Sequence, residues 1–115
     1  MGKSQKLPDA KTPKAFHIII KPRASNELSR AYYWYEDCSP GLGERFKRAF
    51  DVSLKWVKTH PTRYAVVYKN VRSLVMKAFP YKIFYRITGS EVKILTVIHT
   101  ARSDSRWKRQ LDRDK

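Results

Sequence analysis

The sequence predicts an α+β fold, in which an antiparallel helical hairpin packs on a twisted, mostly antiparallel sheet in the order β-α-α-β-β-β(-β). Between residues 23 and 60 the apolar side chains recur with helical spacing, and after residue 64 they alternate with the period of two of a strand. The two helical stretches are joined by a very short Ser-Pro-Gly segment, so the helices should be antiparallel neighbours. A β-branched run ahead of them supplies the first strand.

The chain has the length of one domain, with 115 residues. Residues 1–15 carry four lysines, two prolines and little apolar content, so we expect a disordered basic arm there, a single domain over 16–110 and a tail over 111–115. The single cysteine, Cys38, excludes an internal disulfide and suits a reducing compartment. No apolar run is long enough to cross a bilayer, so we expect a cytoplasmic protein without membrane contact.

The first three elements follow from apolar spacing and from residues that break it. Phe16 to Ile20 is rich in β-branched residues and is stopped by Pro22, which predicts a strand. A helix is expected over about 23–37. Ser39 can cap a second helix with Pro40 in its first turn, and His60-Pro61 ends it. One face of these helices is apolar: Leu28, Ala31, Tyr32, Tyr35, Leu42, Phe46, Ala49, Phe50, Leu54 and Val57.

The second half of the chain predicts a meander of strands. A strand over 64–68, a turn at Lys69-Asn70, and strands over about 72–78, 82–87 and 92–99 follow from the alternation and from turn residues. The last of these is almost wholly apolar, as in a central strand buried on both faces. Residues 103–110 predict a short basic helix. Within this scheme Phe46, Phe50, Leu74 and Ile83 are expected in the core.

The charge balance predicts an acidic partner. The chain has 25 Lys and Arg against 10 Asp and Glu, a net charge of +15. Such a surface attracts polyanions, which leaves nucleic acid, ribosomal RNA or an acidic protein as partner classes.

Several phrases resemble the RelE/ParE toxin superfamily of type II toxin–antitoxin systems, closer to its ParE-like members. They are Glu27-Leu28, Ala31 and Trp34-Tyr35-Glu36; then 40–46; then Pro61, Tyr64, Val71-Arg72 and Met76; then 79–87; and finally 97–99 with Arg102 and Trp107. Together they span about residues 16–109. The stretch over 79–87, Phe-Pro-Tyr-Lys-Ile-Phe-Tyr-Arg-Ile, is the most specific.

The resemblance implies a toxin that a cognate acidic antitoxin neutralises, and one of two targets. ParE-like members poison DNA gyrase, whereas RelE-like members cut mRNA on the ribosome. Lys82 stands where ribonuclease members carry an arginine that contacts phosphate. A lysine there lacks the bidentate hydrogen-bonding fork of a guanidinium group. Trp107 replaces their C-terminal tyrosine and has no hydroxyl to exchange a proton. We therefore expect a gyrase inhibitor that is not an enzyme.

Two alternatives stay open at the level of sequence. The first is a metal-independent mRNA endoribonuclease, with Arg72, Lys82, His99 and Arg102 as the candidate catalytic residues. The second is a basic nucleic-acid-binding module, although no RNP1-like phrase is present and the helices form a hairpin instead of a recognition pair.

The remaining candidates are binding residues. Arg45, Arg48, Arg72 and Arg86 are candidates for pairing with antitoxin carboxylates, and Arg102, Arg106 and Trp107 for contacting the target. Tyr33 or Trp34 could extend a partner surface. His17, Cys38, His60 and His99 lack the spacing of metal ligands, so no metal is expected. No cofactor and no small-molecule ligand are expected either.

Overall fold

The computed structural model describes residues 16–102 and 106–113, and within them the expected order of elements is confirmed. The elements are β1 (His17–Ile20), α1 (Pro22–Cys38), α2 (Leu42–Thr59), β2 (Val66–Tyr68), β3 (Val71–Val75), β4 (Tyr81–Thr88), β5 (Glu91–His99), a 3-10 turn (Thr100–Arg102) and α3 (Arg106–Arg113). The predicted arm of residues 1–15 lies outside the described residues.

The five strands form one sheet in the order β1-β5-β4-β3-β2. β1 is parallel to β5, and every other neighbouring pair is antiparallel. A parallel pair needs a long crossover, which the two helices provide. β5 lies between β1 and β4 and buries residues on both faces, as its apolar run predicted. Opposite Phe84 and Tyr85 it carries one extra residue, Leu95, which shifts the register.

The turn between α1 and α2 is held by a carboxylate of α1. Both oxygens of Glu36 accept backbone amides, from Gly41 at 2.9 Å and from Gly43 at 3.0 Å. Gly41 has φ +88°, in the left-handed region that favours glycine. At Gly43 a Cβ atom would lie 2.7 Å from the Tyr32 carbonyl oxygen, which is too close for any larger residue without a shift of the backbone. The predictions that Ser39 caps this helix and that Pro40 lies in its first turn are both wrong, because α2 begins at Leu42 with Gly41 as its cap residue. Glu36 caps it from a distance instead.

The helical hairpin covers one face of the sheet, which we call the hairpin face. All four predicted core residues are buried there, with Phe46 at 1%, Phe50 at 4%, Leu74 at 7% and Ile83 at 0% exposure. The prediction that Tyr32 and Tyr35 are core residues holds in part, because both are half-buried. Tyr35 packs on Phe46 with ring centroids 5.3 Å apart, whereas the Tyr32 hydroxyl donates to Glu44 at 2.7 Å.

The other face of the sheet, here the open face, is covered by α3 alone among the elements that the structure describes. Leu111 is 4% exposed and packs in a small cluster with Val71, Phe84 and Leu95. Trp107 lies beside them, its ring 4.4 Å from that of Phe84. The prediction of a tail over 111–115 is therefore wrong at its start, because the helix runs to Arg113 and Leu111 is a core residue.

Two strand boundaries differ from the predicted ones. β2 begins at Val66 instead of 64, and β3 ends at Val75 instead of continuing to 78. Ala78 adopts φ +73° in a turn that is closed by the Met76 amide donating to the Tyr81 carbonyl at 2.8 Å. The alternation of Leu74, Met76 and Ala78 continues into this turn, so the sequence pattern does not show that the strand ends at Val75.

Candidate functional site

Three cations lie on the open face around Phe84. Lys82 and Arg86 flank Phe84 on β4, and side chains two residues apart on a strand point to one face. Lys93 of β5 stands directly opposite Arg86 in the ladder. All three side chains are half-buried. The open face is thus where basic side chains meet a partly apolar surface.

A cleft at the edge of this face is built between α1, β5 and α3. It has a volume of about 260 Å³ and is lined by Arg23, Glu27, Arg30, Ile98, Arg102, Trp107 and Gln110. Two of the three predicted target-binding residues, Arg102 and Trp107, therefore share one cleft. Arg106 is the first residue of α3, directly before Trp107. The guanidinium groups of Arg23, Arg30 and Arg102 line the cleft together with the Trp107 indole. Such a set suits an anionic, partly planar ligand surface.

Glu27 is part of the sheet's structure although it lines that cleft. Its carboxylate accepts the Val97 amide at 2.8 Å and the Thr96 hydroxyl at 2.7 Å. β1 pairs with β5 only as far as Ile94, so the Val97 amide lies beyond the end of β1. Glu27 therefore accepts the hydrogen bond that a backbone carbonyl of β1 would accept if that strand were longer. This role of Glu27 could not be predicted from the residue pattern, because it depends on where β1 ends.

Arg72 points away from the open face. It pairs with Tyr85 on the hairpin face, and its guanidinium donates to the carbonyls of Thr62 at 3.2 Å and Tyr64 at 2.7 Å. These bonds hold the segment that follows α2. Arg72 and Lys82 are therefore on opposite faces of the sheet.

His99 ends β5 on the hairpin face. It pairs with Tyr81, with ring centroids 5.1 Å apart, and its Nδ1 accepts the Ala101 amide at 3.0 Å. Burial raises the pKa of the Tyr81 hydroxyl, and the positive charge of Arg102 opposes that shift. The four candidate ribonuclease residues thus do not form one site. Arg72 and His99 lie at different ends of the hairpin face, and Lys82 lies on the other face. Arg102 lies off the sheet, in the 3-10 turn, and lines the cleft with Trp107.

The candidate antitoxin residues are also dispersed. Arg45 and Arg48 are exposed on α2, whereas Arg72 is bonded to the loop after α2 and Arg86 lies on the open face. They do not form a single patch.

An apolar groove runs between the two helices of the hairpin. It has a volume of about 290 Å³ and is lined by Ile20, Leu28, Ser29, Tyr32, Tyr33, Phe46, Lys47, Phe50 and Asp51. Tyr33 and Trp34 are 65% and 61% exposed on α1, and Trp56 is 41% exposed on α2. Of these three side chains Tyr33 lines the groove, and a large exposed aromatic side chain in an apolar groove is typical of a protein-binding surface. The exposure of Tyr33 and Trp34 was a possibility that helical spacing raised.

The described residues hold neither a metal-binding cluster nor a membrane-spanning helix. Across residues 16–102 and 106–113, no three His, Cys, Asp or Glu side chains are grouped so that they could hold a metal ion. In the same part of the chain, no helix is both long and apolar enough to span a membrane.

Comparison with known proteins supplies the family. Residues 18–104 match the family described as the ParE toxin of the type II toxin–antitoxin system parDE. The chain belongs to the ParE toxin family. Toxin ParE2 of Mycobacterium tuberculosis is 29% identical over 75 residues, which cover 64% of this chain and 71% of ParE2.

Solved toxin–antitoxin structures share the fold of this ParE-family chain. The chromosomal ParDE system from P. aeruginosa superimposes with a TM-score of 0.66 at 18% identity, covering 74% of this chain and 96% of that one. The intact E. coli RelBE complex gives 0.57 at 14% identity, with the same coverage. The α+β hairpin-on-sheet fold is therefore that of the RelE/ParE superfamily.

Proposed function

We propose that this chain is a toxin that inhibits DNA gyrase by binding it, and that a cognate acidic antitoxin neutralises it in the cytoplasm. ParE-family membership supports the toxin role. The observation that carries the choice of target is the separation of three ribonuclease candidates, Arg72, Lys82 and His99, over two faces of the sheet.

Metal-independent RNA cleavage needs a base, a cation and an acid within hydrogen-bond reach of one phosphate. Arg72 is occupied by two carbonyls and His99 by an amide, and neither shares a face with Lys82. Trp107, where ribonuclease members have a tyrosine, has no acidic hydroxyl. A binding inhibitor needs none of these groups to converge.

The target would contact the cleft that holds Arg102 and Trp107. A supercoiling assay with purified gyrase and relaxed plasmid tests this. We expect micromolar protein to reduce supercoiling, Arg102→Gln to weaken that inhibition, and Arg63→Gln, which removes the same charge from an exposed position, to leave it unchanged.

The alternative ribonuclease is tested in parallel by mapping transcripts after cell-free translation with the protein. Intact transcript is expected. Cleaved transcript together with normal supercoiling would favour the ribonuclease and contradict gyrase as the target, and both assays unaffected would contradict the toxin role.

The antitoxin would use the apolar groove of the hairpin. A groove between Leu28, Tyr33, Phe46 and Phe50 suits the apolar face of an amphipathic helix. The exposed Val66 and Val67 on the edge strand β2 offer a second contact, where an extended segment could add to the sheet. A partner that folds on binding can span both.

Charge should govern how fast the two proteins meet. With a net charge of +15, association with an acidic antitoxin should slow steeply as salt is added, while dissociation stays slow because buried apolar contacts control it. We expect Tyr33→Ala to speed dissociation, and Arg45→Gln with Arg48→Gln to slow association. Both rates can be measured at low and high ionic strength with the product of the neighbouring gene. An association rate that is insensitive to salt would contradict electrostatic guidance.

A further inference from the structure

Two cations face each other on neighbouring strands of the open face. Arg86 of β4 and Lys93 of β5 are direct partners in the ladder. Like charges opposite each other across a sheet destabilise it. On its other side Arg86 pairs with Val71, which offers no counter-charge.

The guanidinium of Arg86 contains an unsatisfied donor. Its Nε is buried and has no hydrogen-bond partner among the described residues. Buried donors in folded proteins nearly always have a partner, so an unpaired one calls for an explanation. A guanidinium beside an ammonium group is suited to an oxyanion, whose negative charge would offset the cost of this buried, unpaired donor.

The surroundings of this pair form a cleft. Its volume is about 440 Å³, and its lining includes Lys21, Arg23, Arg86, Lys93, Leu95 and Leu111. No acidic side chain lines it among residues 16–102 and 106–113. Arg86 also lines a second cleft, on the side of Tyr68 and Lys69, where Asp112 is already bonded to Lys69 at 3.0 Å.

We infer that the cleft over Arg86 and Lys93 is an oxyanion site that takes a carboxylate of a partner polypeptide. The cations would bind the carboxylate, and Leu95 and Leu111 would contact an apolar side chain next to it. A peptide carries an acid and an apolar group on adjacent residues, whereas a nucleic-acid backbone carries a further phosphate there. The apolar walls therefore favour an acidic, leucine-like segment over phosphate.

This site has no lining residue in common with the hairpin groove and shares Arg23 alone with the Arg102–Trp107 cleft. The antitoxin as donor of the carboxylate rests on the proposed function, whereas the site itself does not. A synthetic probe separates the two, because it tests the cleft without antitoxin or gyrase.

The probe is a fluorescein-labelled, end-blocked hexapeptide of alternating leucine and glutamate, measured with the full chain by fluorescence anisotropy. We expect Arg86→Gln and Lys93→Glu each to weaken binding about tenfold or more, as for loss of a charged hydrogen bond. Arg63→Gln, at an exposed position outside the cleft, should change it less than about twofold. Addition of the peptide to the wild type should shift the Arg86 Nε–H resonance, which is assigned by its loss in Arg86→Lys.

Thermal stability distinguishes a binding site from a structural pair. Lys93→Glu places a carboxylate opposite Arg86, so the melting temperature should rise while peptide binding falls. Unchanged binding in both variants, or a silent Arg86 Nε–H resonance, would overturn the site. A twelve-nucleotide oligothymidylate is measured in the same way. If its binding depends on Arg86 and Lys93 more strongly than peptide binding does, the site takes a phosphate and the proposal of a carboxylate ligand is overturned.

Discussion

The two faces of the sheet are covered very differently. Among residues 16–102 and 106–113, two long helices and the sheet share a cluster of twelve buried residues on the hairpin face, whereas the cluster on the open face has four, one of them supplied by α3. The first is an ordinary core, and its removal should unfold the protein. The second keeps half-buried cations next to a short helix. The comparison teaches that stability resides mainly on one face and that the other has room for binding.

The largest effect is expected from a truncation in the hairpin-face core. Phe50→Ala removes an aromatic ring that is 4% exposed, and should lower the free energy of unfolding by about 3–5 kcal/mol. Urea denaturation measures it. Val52→Ala, two residues along α2 and 45% exposed, is the control and should change stability by less than about 0.5 kcal/mol. A cost below about 1 kcal/mol for Phe50→Ala would mean that this face is not the main core.

A matched truncation on the open face should cost less. Leu111→Ala should lower the free energy of unfolding by about 2 kcal/mol, the low end for a buried leucine, because a terminal helix can separate without opening the hairpin core. Hydrogen exchange should show faster exchange in α3 alone. Arg109→Ala, on the exposed side of α3, serves as control. If Leu111→Ala cost as much as Phe50→Ala, the two faces would fold as one unit.

A tyrosine hydroxyl buried on the hairpin face should set an upper limit to the pH range in which the protein keeps its full stability. Tyr85 is fully buried and donates to the Pro61 carbonyl, and burial raises its pKa to about 12. Since the pKa of an unfolded tyrosine is about 10, the stability that comes from its neutral form is fully present below pH ~10 and is lost as pH rises towards 12.

Tyr85→Phe tests that limit. It should lower the free energy of unfolding by about 1 kcal/mol at neutral pH and make its fall between pH ~10 and ~12 shallower. Urea denaturation over this pH range measures both. Tyr33→Phe, at an exposed position, should leave the pH profile as it is, and an unchanged profile in Tyr85→Phe would show that another group sets the limit.

The smallest effect on stability should come from the contacts of Asp112 with Tyr68 and Lys69, here called the tether of α3. Asp112 accepts from the Tyr68 hydroxyl at 2.6 Å and from Lys69 at 3.0 Å, in an exposed setting. The hydrogen bond that Lys69 donates to Asp112 raises the pKa of Lys69, so this ion pair is present at neutral pH and weakens as pH rises past the ordinary lysine value.

Asp112→Asn should leave global unfolding almost unchanged but make α3 separate more often. Iodide quenching of Trp107 fluorescence, with Trp34 and Trp56 replaced by phenylalanine, should increase in the variant. In the parent it should increase only at alkaline pH. Asp51→Asn on α2 is the control, and equal quenching in all proteins would show that the tether does not hold α3.

The hairpin face was largely predictable from sequence, because helical and alternating periods report which side chains share a face. Phe46, Phe50, Leu74 and Ile83 were identified in this way. The cap of α2 was not, because Glu36 reaches the amides of Gly41 and Gly43 across a turn. Leu111 was missed because a single leucine among charged residues gives no period.

The candidate site was less predictable, because its residues come from separate elements. Arg72 and Arg86 are equally basic in the sequence, yet one strand pairing puts Arg72 on the hairpin face and another puts Arg86 beside Lys93. A one-residue change of register reverses such an assignment. The grouping of Arg102 with Arg30 depends in turn on how α1 crosses the end of β5.

The bond from Glu27 to the Val97 amide bears on solubility. Unpaired amides along the edge of a sheet are templates on which strands of other molecules can pair, and this is a route to aggregation. A carboxylate fixed on that amide blocks pairing there and repels the carbonyl oxygens of an approaching strand. In a chain with only 10 acidic residues, one is thus placed where it prevents intermolecular β-structure from starting along the half of β5 that β1 leaves uncovered.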